Sequence, residues 1–185
     1  MSNLRKQAAP VSTRSPFAGL LSYIVPGMGQ IYQGRIGKGV LFLVCLYGLF
    51  FAGMAQGHWQ NVYLPDTAKV NPPWGLPRPL ANLYNRLQFA GQFWIGAVAW
   101  PAIWQYATFD EREDGDPFFG KFERTPREED INRLQRDGDK TWDLGWVYTV
   151  IAGVLNILVI YDAFAGPAFI EGDTAARSPK EVPSS

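Results

Sequence analysis

The sequence predicts an all-α integral membrane protein, a helical bundle of three to four transmembrane helices with a short amphipathic helix on its cytoplasmic side. Three observations lead there. Four stretches without a charged side chain, 15–34, 39–65, 87–109 and 144–161, divide the chain. Each approaches or exceeds the roughly 20 apolar residues that, at about 1.5 Å per residue, cross a hydrocarbon core about 30 Å thick. Charge is segregated rather than scattered, with 7 of the 17 Lys and Arg packed between the third and fourth stretches. Trp94, Trp104 and Tyr106 stand toward the two ends of the third stretch, where amphipathic rings suit a membrane–water interface. The mean hydropathy of −0.10 would fit a soluble chain, but it averages apolar windows with a charged loop, and local windows decide.

Taken in order, residues 1–14 form an arm of Ser, Pro, Gln and basic groups without apolar periodicity, and residues 171–185 form a similar tail. Both are expected to be disordered. One helical membrane domain, 15–170, lies between them. Its first segment, 15–34, carries Pro26, Gly27 and Gly29 near the middle, where proline removes a helical hydrogen bond and glycine relaxes the backbone. It is expected to kink or re-enter. A cleaved signal peptide is disfavoured by Pro26 and by the lack of an Ala-x-Ala site. The second segment, 39–56, is the plainest spanning helix. A loop with Pro65, Pro72, Pro73, Pro77 and Pro79 follows and reads as irregular backbone lying along the interface. The third segment, 87–109, should span with a kink at Pro101. Thr125-Pro126-Arg127-Glu128 reads as a capping box with proline at the first helical position, so a surface helix is predicted over 126–137, stopped by Gly138. The fourth segment, 143–165, ends before Gly166 and Pro167.

Orientation depends on the number of crossings. If all four segments cross, Lys and Arg divide 8 against 9; if the first re-enters, they divide 12 against 5, with the arm, the first turn and the loop 110–141 together. The second division is a positive-inside signal. Loop 110–141 is therefore expected in the cytoplasm.

Chemistry-bearing motifs are scarce. The 17 basic and 17 acidic side chains cancel, so no overall field draws nucleic acid. Gly34, Gly37 and Gly39, with Gly27 and Gly29 upstream, lack both the preceding strand and the Gly-Lys-Ser/Thr of a phosphate loop. Asp110, Arg112, Asp114 and Gly115 open like a calcium loop, but Arg112 and Lys121 replace required carboxylates. One histidine, His58, and one cysteine, Cys45, fall short of a zinc site; Cys45 is expected to be a buried small hydrophobe. No spacing argument brings His58 to a serine nucleophile. No catalytic residue, metal ligand or cofactor is assigned.

The fourth segment is more informative. Gly145, Thr149, Ala152, Gly153 and Asn156 recur at three- and four-residue steps, a small and weakly polar stripe that lets helices approach closely. Asn156 is expected to bond a neighbouring helix. Asp162 lies six residues on, about 120° around the helix, so the two do not share one face.

Pro26-Gly27-Met28-Gly29-Gln30-Ile31-Tyr32-Gln33-Gly34-Arg35, followed by Gly37-Lys38-Gly39 and an apolar helix, resembles the small two-transmembrane-helix domain family of bacteria. The stretch 143–163, with Gly145, Gly153, Asn156 and Asp162, resembles an uncharacterised bacterial multi-pass family that combines both motifs. The resemblance implies a multi-pass protein of the bacterial cytoplasmic (inner) membrane with a cytoplasmic first turn, and supplies no catalytic residue. The leading expectation is a non-enzymatic component of a membrane assembly, in contact with the lipid bilayer and with a membrane-protein partner or a second copy of itself. A small transporter or channel component using Asn156 and Asp162 is the alternative, and an enzyme at the membrane surface the third.

Overall fold

The computed structural model describes residues 14–64, 75, 77–108, 118–137 and 140–166. The arm to residue 13, most of the proline-rich loop, the calcium-like stretch and the tail lie outside the described residues. Within them every regular element is helical.

The first segment does not run through. Helix α1, Pro16–Ile24, starts on Ser15, whose Oγ accepts from the amide of Ala18 at 3.2 Å, a normal N-cap with proline in the first turn. Pro26 stops it, and Gly27 at φ 84° turns the chain into the five-residue α2, Met28–Tyr32. Gly27 is required twice over: a left-handed backbone disfavours any side chain, and a Cβ there would overlap the carbonyl of Gly39. The chain thus doubles back on itself rather than continuing through a simple kink.

Among the described residues, helix α3, Ile36–Gln56, and helix α8, Thr141–Ala165, are the two helices long and apolar enough to cross a membrane. They are antiparallel, because Gly53 near the end of α3 meets Gly145 and Thr149 near the start of α8, while Lys38 at the start of α3 meets Asp162 near the end of α8. The pair defines two ends of the molecule, an Asp162 end and a Trp142 end. Leu46, Phe50 and Met54 of α3 form the core with Ala152 and Val159 of α8 and with Phe89, Ile95, Ala99 and Ala102 of the third segment.

That third segment departs from expectation. Helix α4, Arg78–Asn85, leads into α5, Leu87–Gln92, then a 3₁₀ turn over Phe93–Ile95, a break at Gly96, a second 3₁₀ turn over Ala97–Ala99, and α6, Trp100–Thr108. It is not one kinked span. Gln92 meets Thr149 and the carbonyl of Trp94 meets Asn156, so the chain descends along α8; Gln105 and Tyr106 then return to Gly120, Phe122 and Asn82 at the Trp142 end. The break falls at Gly96, at φ 96°, against the carbonyls of Tyr23 and Ile24 where a Cβ would overlap them. Pro101 does not bend a helix. It occupies the second position of α6, where its missing N–H has no intrahelical partner to lose.

The surface helix α7 runs Glu128–Asp137, shorter than the 126–137 expected. The hydroxyl of Thr125 donates to the carbonyl of Leu64 at 3.1 Å, tying this loop to the exit of α3. Cys45 is exposed on α3, not buried. Two hairpins therefore enter from opposite ends, one before each long helix in the chain, and their tips meet about halfway along α8.

Candidate functional site

Polar side chains inside this apolar frame form a track beside α8, from the Asp162 end to the Trp142 end. At the first end, Asp162 takes Arg35 Nη2 at 2.8 Å and Lys38 Nζ at 2.7 Å. Gln30 reaches the same carboxylate at 3.1 Å and donates to the carbonyl of Val159 at 2.8 Å. Two cations on one carboxylate leave a single excess positive charge. Gln33 donates to the carbonyl of Ala163 at 2.6 Å, so α2 is pinned by its amides to the open end of α8.

Inward, the hydroxyl of Ser22 donates to Gln30 Oε1 at 3.0 Å and accepts from the amide of Gly29 at 3.1 Å. The carbonyl of Ser22 accepts from Asn156 Nδ2 at 3.1 Å, and the other hydrogen of that amide goes to the carbonyl of Trp94 at 2.8 Å. One fully buried asparagine thus holds both hairpin tips. Asn156 and Asp162 share no face of α8, as their spacing requires, yet Ser22 and Gln30 on the first hairpin connect them. Among the described residues the Asn156 Oδ1 has no hydrogen-bond partner.

Toward the other end, Gln92 donates to Thr149 Oγ1 at 2.7 Å and to the carbonyl of Asn61 at 3.3 Å, and Asn61 Nδ2 donates to the carbonyl of Gly53 at 3.0 Å. Arg86 adds Nη2 to the same Asn61 carbonyl at 3.1 Å and lies over the ring of Tyr63, 3.5 Å from its centroid. Burial pulls its guanidinium below its ordinary value, with Tyr63 opposing.

A second feature sits in the loop at the Trp142 end. Glu123 is fully buried, its Oε2 accepts from the amide of Ala102 at 3.0 Å, and its own amide donates to the carbonyl of Trp59 at 2.8 Å. Ala102 stands in the first turn of α6, so this carboxyl caps the returning arm of the hairpin from another part of the chain. Glu123, His58 and Trp59 are the described non-glycine residues at positive φ, and such strain persists only where surrounding structure holds it. Burial pushes the Glu123 carboxyl well above the usual carboxylate range, and the Ala102 amide only partly opposes this.

Of the residues singled out from sequence, Pro26, Gly27, Gly29 and Gln30 build the first hairpin, and Gly34, at φ 79°, ends α2. Tyr32 is exposed and packs edge-on against Phe17 with ring centroids 5.3 Å apart. Gly145 admits Gly53, Gly153 admits Gly91, and Asn156 and Asp162 hold the track. Ser22, Gln92, Asn61, Arg86 and Glu123 went unnoticed. The signal for Gln92 was its place as an amide inside an uncharged stretch, the property that had already singled out Asn156. Among the described residues no group of three His, Cys, Asp or Glu could hold a metal ion.

The fold and this track define a helical protein built on two long apolar helices and two opposed hairpins, with buried amides serving backbone carbonyls. The chain belongs to a family of unknown function, DUF6677, which matches residues 17–176. It is also similar to the uncharacterized protein MJ1516 of Methanocaldococcus jannaschii, 60% identical over 25 residues, which are 14% of this chain and 25% of that protein. The match thus spans a quarter of that relative's length. No solved structure matches.

Proposed function

We propose that this is a non-enzymatic integral membrane protein, multi-pass through α3 and α8, that serves as a structural or interaction component of an assembly in the bacterial cytoplasmic membrane. The observation that carries the membrane reading is the exposure of its most apolar helices. Only 22% of the apolar window of α3 and 33% of that of α8 is buried within the fold. Val40, Leu41 and Val44 of α3 and Ile151, Val154, Leu155 and Leu158 of α8 face outward. A helix apolar all round needs an apolar environment, and here the fold does not supply it, so lipid must.

Supporting the interaction role, the polar side chains are spent on architecture. Asn156 is enclosed with both amide hydrogens on hairpin-tip carbonyls, and Asp162 is occupied by Arg35 and Lys38. The test is purification in mild detergent followed by size-exclusion chromatography. A second protein retained at constant stoichiometry supports the reading; a chain that runs alone or only with copies of itself counts against an assembly role.

One observation favours transport as a second reading. Two broken segments meeting near mid-depth from opposite sides is the layout in which transporters place substrate sites. Cysteines placed at 156 and 162, in a chain lacking Cys45, would both be reached by a water-soluble thiol reagent in membranes if a pathway exists; both blocked removes it.

A further inference from the structure

Phe17-Ala18-Gly19 of α1 recurs as Phe89-Ala90-Gly91 in α5, 72 positions later. Three identical residues would carry little by themselves, but α8 treats the two copies alike. A Cβ on Gly19 would lie 3.3 Å from Phe164 Cβ and 3.7 Å from the carbonyl oxygen of Ile160. One on Gly91 would lie 2.9 Å from Val150 Cγ1 and 3.7 Å from Val154 Cγ2. The first two contacts fall four and eight positions after Asn156, the second two fall two and six before it. In the same register, Ser22 and Trp94 each stand five positions after their phenylalanine, and theirs are the two carbonyls that share the Asn156 amide, at 3.1 and 2.8 Å. The entering arms of the two hairpins are thus related by a local two-fold axis through Asn156 and run in opposite directions along one helix.

That equivalence has a mechanical consequence. Each arm ends at a glycine break, Gly27 at φ 84° and Gly96 at φ 96°, so neither continues as helix past its tip. Both tips are fastened by one amide group whose two hydrogens go to different hairpins. If one tip withdraws, its hydrogen loses an acceptor and the side chain must turn to find another, which pulls on the second bond. The closed arrangement also carries a cost, because Asn156 Oδ1 is fully buried and has no hydrogen-bond partner among the described residues. An unpaired buried acceptor costs free energy that hydration on opening would return. Away from the tips the hairpins are anchored separately, the first through Gln30 to the Val159 carbonyl and Asp162, the second through Glu123 to the Ala102 amide.

We propose that Asn156 is a shared latch that couples the two hairpins, so that loosening one from its own end of the molecule frees the tip of the other. Hydrogen–deuterium exchange of the full chain in detergent tests it. Gln30→Leu removes the bonds of Gln30 to Ser22, Val159 and Asp162, all on the first hairpin and its end of α8. The expected result is that exchange over residues 93–97, at the second tip, quickens by about tenfold, the scale of one hydrogen bond, while residues 43–50 of α3 are unchanged. In an Asn156→Ala chain both tips should exchange fast from the outset, and adding Gln30→Leu should change residues 93–97 no further. Two independent structural roles would instead add. Should Asn156→Ala fail to fold, the Gln30→Leu comparison decides by itself. A second tip unchanged by Gln30→Leu, equal quickening across α3, or additive effects in the double variant overturns the latch.

Discussion

Asn156 illustrates how a single side chain can stand in for missing secondary structure. The ends of α1 and of the Phe93–Ile95 turn leave carbonyls with no helical partner, and its amide serves one from each. Asn156→Ala would strand two buried carbonyls and should lower stability by about 1–3 kcal/mol, read as a shift of the unfolding midpoint in detergent. Asn156→Asp should be no better, since a carboxylate offers those carbonyls nothing to accept. Glu123 makes the opposite kind of demand. Because burial raises its carboxyl in the fold, the folded protein holds a proton that the unfolded chain releases near the ordinary value of about 4.3. Stability is then greatest below that value and declines as pH rises from there through the raised folded value. Glu123→Gln should flatten that decline while keeping the bond from Ala102, and an unchanged pH profile would show that Glu123 ionises freely.

At the scale of elements, close approach of α3 and α8 depends on glycine at their crossing. A Cβ on Gly53 would stand 2.6 Å from the carbonyl oxygen of Gly145 and 2.9 Å from Thr149 Cγ2, whereas one on Gly48 meets nothing within 4 Å. Gly53→Ala should force the pair apart and destabilise by about 1–3 kcal/mol. Gly48→Ala, on the same helix, should leave the fold intact and add about 0.5–1 kcal/mol from the helical preference of alanine. Denaturant titration of both variants separates crossing geometry from propensity. How far the elements could be read in advance follows from where their causes lie. Helix α1 ends where Pro26 and Gly27 sit, a cause contained in two adjacent residues, and a break there, as a kink or a re-entry, was expected. Helix α7 opens at Glu128 rather than at Pro126, and the hydroxyl of Thr125 donates to the Leu64 carbonyl, 61 positions away, a contact that no local pattern announces.

For the whole molecule, the doubling back of the third segment changes the orientation argument. The first turn and the loop at 118–127 lie at opposite ends of the α3–α8 pair, so the 12 against 5 division, which needs them together, does not hold for this fold. With both hairpins re-entrant, Lys and Arg divide 7 for the arm, first turn and tail against 10 for the two remaining loops. We propose that loop 110–141 is cytoplasmic and the first turn faces outward, against the orientation implied by the two-transmembrane-helix resemblance. In a chain with Cys45→Ser, Gly37→Cys and Lys121→Cys should be labelled from opposite sides of sealed vesicles, and Lys121→Cys from the cytoplasmic side. Labelling of both from one side would require a third crossing and remove the hairpin.

By itself the sequence determined the helical class, the two long apolar helices and the break at Pro26 and Gly27, because length, hydropathy and a Pro-Gly pair act within a few residues. Tertiary structure alone decided the rest. Residues 87–109 have the length and composition of a crossing helix, and only the end of α1 pressing on Gly96, Asn156 holding Trp94 and Glu123 capping Ala102 turn them back. Each of those partners lies at least 21 positions away in the chain, beyond the reach of any local periodicity.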